Sequence, residues 1–154
     1  MTSIRQALCL LGEVPFRKWV TVMAMRMLGS DKPEELTVTS LVRARFCELI
    51  AGDAKLSGRQ LDLFLVGILS VVDALIGQPM AQLLDELSVP GDVRNALLGK
   101  PSALTEVFAL VRAYEGVDWG NVARLSESAS IPLDRVSAVY CESLKWVDEI
   151  FAAA

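Results

Sequence analysis

The chain of 154 residues contains no histidine, and this absence excludes much of the chemistry that a small domain can carry. Histidine is the usual general base beside a nucleophilic serine or cysteine, and it is a common ligand of zinc and di-iron centres. Cys9, Cys47 and Cys141 are far apart and form no CxxC pair, and no GxGxxG, GxxxxGK[ST] or GxSxG motif is present. Only an all-carboxylate metal site is left open. We therefore predict no enzymatic activity, no metal and no cofactor.

The chain also lacks a basic surface and a long apolar run. It has 15 Lys and Arg against 19 Asp and Glu, which gives a net charge of −4, whereas nucleic-acid-binding domains are normally basic. The apolar run at 61–76 has about 16 residues, fewer than the roughly 20 that span a bilayer, and it contains Asp62 and Asp73. We expect no nucleic-acid partner and no membrane attachment. The unpaired cysteines fit a cytoplasmic location.

What the sequence does contain is helical periodicity from end to end. Hydrophobic residues make up 53% of the chain, and they recur at three- and four-residue spacing rather than in alternation. Gly and Pro separate the segments. The pattern predicts helices at 3–11, 15–28, 31–51, 59–76, 80–87, 91–98, 102–114, 118–126 and 132–151. We therefore predict that residues 1–154 form a single all-α domain, a compact bundle of about eight or nine helices.

The predicted central helix, 59–76, carries one polar stripe on an otherwise apolar surface. Asp62, Ser70 and Asp73 share the stripe because eight and eleven residues are each close to a whole number of helical turns. Arg43 and Arg45 on the preceding helix are the obvious donors to Asp73. Two interpretations stay open: a structural polar edge, which we favour, and a ligand groove lined by these arginines and the stripe.

Six segments, in this order, resemble a known family: SIRQALCLLG, FRKWVTVMAM, LVRARFCELIA, LFLVGILSVVDALIGQPM, ALLGKPSALTEVFALVRAYEGVDW and AVYCESLKWVDEI. They are similar to the C-terminal part of the HDOD domain, and most of all to the HDOD half of bacterial EAL–HDOD signalling proteins. The resemblance covers nearly the whole chain. It implies an HD-related bundle.

The resemblance also carries an implication about activity. Catalytic HD proteins bind metal through a His-Asp pair on the helix that looks equivalent to 64–76, and the corresponding positions here are Ser70 and Val71. The implied function is a non-catalytic signalling module that acts through protein contacts in cyclic-di-GMP signalling, with a protein partner or an upstream EAL-type domain. The alternative is a nucleotide or cyclic-dinucleotide binding domain that uses Arg43, Arg45 and the Asp73 stripe.

HDOD domains normally have several helices before the SIRQAL segment. The resemblance therefore implies either that the chain is a fragment or that a partner supplies this layer. In both cases the second predicted helix is expected to expose apolar side chains and to promote a homo-oligomer. The expected patch consists of Phe16, Trp19, Val20, Met23 and Met27.

Overall fold

The computed structural model describes residues 13–152, without the side chains of residues 13–16 and 19. Within this range the chain forms nine α-helices and one 3₁₀ turn, Ser57–Arg59, and no strand. The helices are α1 Glu13–Leu28, α2 Glu34–Asp53, α3 Gln60–Leu69, α4 Val72–Ile76, α5 Met80–Glu86, α6 Gly91–Leu97, α7 Thr105–Glu115, α8 Trp119–Ser128 and α9 Leu133–Ala152. The all-α prediction is confirmed. The predicted helix 3–11 lies outside the described residues, and the single-domain assignment stays a prediction.

Local sequence signals set many of the helix ends. Pro33 precedes α2, and Glu34 and Glu35 lie in its first turn, where carboxylates favour the positive end of the helix dipole. Asp118 caps α8, because its carboxylate accepts a hydrogen bond from the Asn121 backbone at 3.2 Å. A hydrogen bond from the Asn121 side chain at 2.7 Å, and then this backbone bond, lower the pKa of Asp118. The predicted boundaries therefore agree closely with the observed helices outside the central segment.

The core is built around α2 and α3. α2 packs against α1, α3, α7 and α9, so most of its circumference is covered. Phe46 of α2 is fully buried, and its ring contacts those of Tyr114 and Tyr140 at centroid distances of 5.7 and 5.6 Å. On the other side of α3, Phe64 and Ile68 pack with α1 and α9. The two central helices therefore lie at the centre of the packing.

α2 and α3 approach each other closely at Gly67. A Cβ atom at this position would lie 2.4 Å from the backbone nitrogen of Ala44, a distance that no real contact allows. One residue further on, the Ile68 carbonyl accepts a hydrogen bond from the buried Ser40 hydroxyl at 2.7 Å. The absence of a side chain at Gly67 is thus what allows the two central helices to touch along their backbones.

The central helix is interrupted, so the prediction of one continuous helix over 59–76 is wrong. α3 ends at Leu69 and α4 begins at Val72. Both the backbone N–H and the hydroxyl of Ser70 donate to the Gly67 carbonyl, at 3.3 and 2.6 Å, and such side-chain bonds compete with the helical ladder. Val71 then leaves the helical region at φ −124°. Asp73 therefore lies in the first turn of a new helix, and the eleven-residue spacing from Asp62 no longer places the two on one stripe.

Across residues 13–152, no single helix is both long and apolar enough to cross a bilayer. Ser57–Ile76 and Met80–Glu86 meet that criterion only as a pair, bent by 111°.

Candidate functional site

Two polar clusters lie against the central helices. The first, here called the Arg43 cluster, consists of Arg43, Ser70 and Glu115. The second, here called the Glu48 cluster, consists of Lys18, Arg45 and Glu48. Both use charged side chains from α2, and they extend in different directions from it.

The Arg43 cluster joins α2, the interruption after α3 and the end of α7. Arg43 donates from Nε to the Glu115 carboxylate at 2.7 Å and from Nη1 to the Ser70 hydroxyl at 3.2 Å. The side chains of Arg43 and Glu115 are only 15% and 17% exposed. Burial raises the pKa of Glu115, and the neighbouring guanidinium of Arg43 opposes that rise. The charged state of this carboxylate therefore depends on Arg43.

Two ionisable side chains next to the Arg43 cluster, Cys47 and Tyr140, have raised pKa values and are therefore neutral. Cys47 is fully buried, and burial raises the pKa of its thiol far above the ordinary range. Partial burial, followed by the negative charge of Glu115, raises the pKa of Tyr140. A cysteine acts as a nucleophile through its thiolate, so Cys47 is an inert core residue. The cluster thus offers one charge pair in an apolar setting.

The Arg43 cluster includes Ser70, one of the two positions that the HD resemblance aligns with a metal-binding pair. The Ser70 hydroxyl lies next to a guanidinium, and the backbone at Val71 departs from helical geometry. In the part of the chain that the structure describes, no three Cys, Asp or Glu side chains are grouped so that they could hold a metal ion. The residues of the Arg43 cluster can form hydrogen bonds and charge pairs.

The Glu48 cluster binds α1 to α2. The Glu48 carboxylate is buried; it pairs with Lys18 Nζ through one oxygen and with Arg45 Nη1 at 3.0 Å through the other. Burial, and then the neighbouring Arg45, lower the pKa of Lys18. The Nε atom of Arg45 is buried and has no hydrogen-bond partner within the described residues. Buried donors are normally satisfied, so this atom is an unusual unsatisfied donor, and its burial keeps it from direct contact with solvent.

The Glu48 cluster lines one wall of a pocket of about 450 Å³. The other lining residues are small or uncharged: Leu49, Gly52, Gly58, Gln60 and Leu61. Two cations face the Glu48 carboxylate in the cluster, and Glu142 also pairs with Arg45 at 3.9 Å, so two carboxylates balance the two cations. Lys18 and Arg45 are the groups in the lining of this pocket that can donate hydrogen bonds to an anionic group.

The structure separates the residues of the predicted polar stripe. Ser70 joins Arg43, whereas Asp62 pairs with Arg59 at 2.6 Å, and Arg59 also bonds Asp92 at 2.8 Å. Asp73 accepts from the backbone of the next residue at 2.9 Å. The expected bond from Arg43 or Arg45 to Asp73 is wrong, because Glu115 and Ser70 engage the first arginine and Glu48 engages the second. The five residues do not line one groove.

Sequence reasoning missed the two carboxylates that organise the clusters. A signal was present for Glu48, which stands between the apolar residues Cys47 and Leu49 on a helix face that otherwise reads as core. Glu115 gave no comparable signal, because a glutamate at a helix end is ordinarily solvated. Its role depends on the packing of α7 against α2.

The structure describes three of the five side chains of the predicted apolar patch on α1. Met27 is 77% exposed and Val20 is 43% exposed, whereas Met23 is half-buried against the core. Val20 also borders a groove of about 290 Å³ between α1 and α3. The side chains of Phe16 and Trp19 lie outside the described residues. Self-association through this patch stays a prediction.

Nearly the whole chain is similar to part of two bacterial proteins. It is 32% identical over 150 residues to the cyclic di-GMP phosphodiesterase CdgJ of Vibrio cholerae serotype O1, a match that covers 97% of this chain and 35% of CdgJ. It is 30% identical over 157 residues to the uncharacterized protein YuxH of Bacillus subtilis strain 168, a match that covers 98% of this chain and 37% of YuxH. The chain thus spans about a third of the length of these relatives. No model of a known protein family matches the chain, and no solved structure matches it.

The match to CdgJ supports a link to cyclic-di-GMP signalling. It also overturns the prediction that the chain has no enzymatic activity, because CdgJ is named a phosphodiesterase. The absence of histidine excludes mechanisms that depend on histidine, whereas a metal ion can activate water for hydrolysis without a histidine as general base.

Proposed function

We propose that the chain is an HDOD-like domain that serves cyclic-di-GMP hydrolysis in contact with an EAL-type phosphodiesterase domain. The observation that carries the proposal is the similarity to CdgJ over 97% of the chain. The helical architecture is consistent with an HD-related bundle. The ordered HDOD-like segments run along the two central helices and on to α9, which are the elements that form the core.

The Arg43 cluster connects several helices that a partner domain could contact. The Arg43 cluster ties α2, the α3–α4 interruption and the end of α7 through buried charge-assisted bonds. Such bonds hold several helices in one fixed arrangement. A partner domain that contacts one of these helices would therefore contact an element that is bonded to the others.

A hydrolysis assay tests this function. Cyclic di-GMP is incubated with the purified chain and Mg²⁺, with the part of CdgJ outside the matched region, and with both together. We expect the chain to change the rate of the CdgJ part by about fivefold or more, which corresponds to a typical coupling between sites of about 1 kcal/mol. Hydrolysis by the chain alone would place catalysis within it. Equal rates with and without the chain, together with no hydrolysis by the chain alone, would contradict the proposal.

A second candidate function is binding of a cyclic dinucleotide in the pocket beside the Glu48 cluster. The specific observation in its favour is that the two cationic side chains of the cluster, Lys18 and Arg45, line a pocket of about 450 Å³. A phosphodiester is an anion that accepts hydrogen bonds from a guanidinium fork. Of the two arginines expected to bind a nucleotide, Arg45 lines this pocket, whereas Arg43 is engaged with Glu115.

Replacing Arg45 with lysine is expected to weaken cyclic-di-GMP binding about tenfold or more. Lysine keeps the positive charge but loses the guanidinium fork, and a hydrogen bond to a charged group contributes about 1.5–3 kcal/mol. Calorimetry on both proteins measures the change. Arg94→Lys is the matched control, since Arg94 pairs with the exposed Asp85 at 2.5 Å and does not line the pocket. Equal affinities of wild type and Arg45→Lys, or no heat from the wild type, would rule this candidate out.

A further inference from the structure

A pocket of about 270 Å³, here called the α2 pocket, lies where the loop after α1 meets the first turn of α2. Ligand pockets usually have about 300–1,000 Å³, so this one has room for a single small group rather than for a whole nucleotide. Gly29 brings the loop close to α2, because a Cβ atom at this position would collide with the Thr37 hydroxyl. Besides Gly29, the end of α9 contributes Phe151, and the other lining side chains are polar or charged.

Thr37 contributes a buried hydroxyl to the α2 pocket. The residue is only 5% exposed, and within residues 13–152 its hydroxyl has no hydrogen-bond partner. The buried hydroxyls of Ser40, Ser126 and Ser143 all donate to backbone carbonyls. Buried polar groups are normally hydrogen-bonded, so an unpartnered hydroxyl that lines a pocket indicates a ligand.

The start of α2 adds backbone donors to the same pocket. Pro33 precedes the first turn, and no side chain caps the helix there. The Leu36 N–H bonds to the Pro33 carbonyl at 3.1 Å. The N–H groups of Glu34 and Glu35 come earlier, and they have no carbonyl within the helix to which they can donate. Thr37 lies three residues after Glu34, on the same side of the helix. Open N–H groups at a helix start favour an anion.

Two cationic side chains line the α2 pocket, Arg26 and Lys32, and in the part of the chain that the structure describes neither forms an ion pair. The guanidinium of Arg26 lies over the Phe151 ring at 5.1 Å, a contact that holds it at the pocket. Glu34 is an acid in the described lining, and the neighbouring acids, Asp31 and Glu35, do not line the pocket. The described lining therefore carries two positive charges and one negative charge.

We propose that the α2 pocket is a binding site for a phosphate group, either inorganic phosphate or the terminal phosphate of a small metabolite. Such a group has three or four oxygens that accept hydrogen bonds, and the pocket offers a hydroxyl, a guanidinium, an ammonium and backbone N–H groups. A carboxylate fits less well, because it has only two oxygens for these donors. The site shares no residue with the Arg43 and Glu48 clusters, and it does not depend on the proposed function.

Titration of the chain with inorganic phosphate, followed by NMR of the backbone amides, tests the proposal. Potassium chloride at equal ionic strength is the reference. We expect a dissociation constant of about 1 mM, with the largest shifts at the amides of Glu34 and Glu35. GMP distinguishes the two sources of the group. Equal affinities for phosphate and GMP would indicate recognition of the phosphate group alone, and tighter binding of GMP would indicate an organic phosphate.

Thr37→Val removes the hydroxyl and keeps the shape of the side chain. Because the hydroxyl has no partner within the described fold, the melting temperature without phosphate is expected to stay equal or to rise by about 3 °C. The dissociation constant for phosphate is expected to rise about tenfold, because a hydrogen bond to a charged group is lost. Thr39→Val is the matched control, since Thr39 belongs to the same helix and does not line the pocket. It should leave the phosphate affinity unchanged.

Two charge variants locate the ion. Arg26→Gln is expected to weaken phosphate binding about tenfold, whereas Glu34→Gln removes the opposing charge and is expected to strengthen it about threefold. A gain in affinity is not explained by damage to the fold. No amide shifts at about 20 mM phosphate would overturn the proposal. Equal affinities of the wild type, Thr37→Val and Arg26→Gln would overturn it as well, and so would a loss of phosphate binding in Arg45→Lys, which would locate the ion beside the Glu48 cluster. None of these results bears on cyclic-di-GMP hydrolysis.

Discussion

Gly67→Ala is expected to lower the free energy of unfolding by about 3 kcal/mol, at the upper end of the usual cost of overpacking. The added Cβ would lie 2.4 Å from the Ala44 nitrogen and 2.5 Å from its Cα. Both are backbone atoms, so no side chain can rotate away to make room. The helices α2 and α3 must move apart, and the buried bond from Ser40 to the Ile68 carbonyl is then disturbed as well. Urea unfolding followed by circular dichroism measures the loss.

Gly91→Ala is the control for this substitution. Gly91 begins α6, and a Cβ there would meet nothing within 4 Å. Alanine also has the higher helix propensity, so this variant is expected to match the wild type or exceed it by about 0.5 kcal/mol. If the two variants lose the same free energy, the close approach of α2 and α3 does not limit stability.

The helix boundaries could be predicted because local residues decide them. Pro33 and the acids that follow it start α2, and the Asp118 side chain starts α8. The interruption at Ser70 could not be predicted from periodicity, since it arises when a hydroxyl competes for the carbonyl of Gly67. Serine inside a helix does not usually have this effect, so the apolar pattern favoured a continuous helix.

The candidate site was predicted less well, although one error could have been avoided. Arg43 and Arg45 are two positions apart on α2, which places their side chains about 200° apart around the helix. They therefore cannot line one groove with Asp73, and the structure shows them in different clusters. Their acceptors, Glu115 and Glu48, depend on which helices pack together. Long-range packing of this kind is not encoded in the spacing of any single segment.

Arg43→Ala is expected to lower the free energy of unfolding by about 3 kcal/mol at neutral pH, because it leaves the buried Glu115 carboxylate without its partner. This loss of stability should become smaller as the pH falls. Burial already raises the pKa of Glu115, and removing Arg43 removes the largest interaction that opposes the rise. The folded variant then binds more protons than the unfolded chain in the range just above the ordinary carboxyl pKa. Its stability relative to the wild type therefore increases as the pH falls from about 7 to about 5.

The double variant Arg43→Ala/Glu115→Gln isolates this effect. Glutamine cannot ionise, so the buried charge disappears together with its titration. We expect the double variant to recover about 1–2 kcal/mol relative to Arg43→Ala near pH 7, because removing one partner of a buried pair costs more than removing both charges. Its stability relative to the wild type should also depend less on pH. If Arg43→Ala and the double variant respond equally to pH, Glu115 is not the titrating group, and the Arg43 cluster does not couple charge to the packing of α2 and α7.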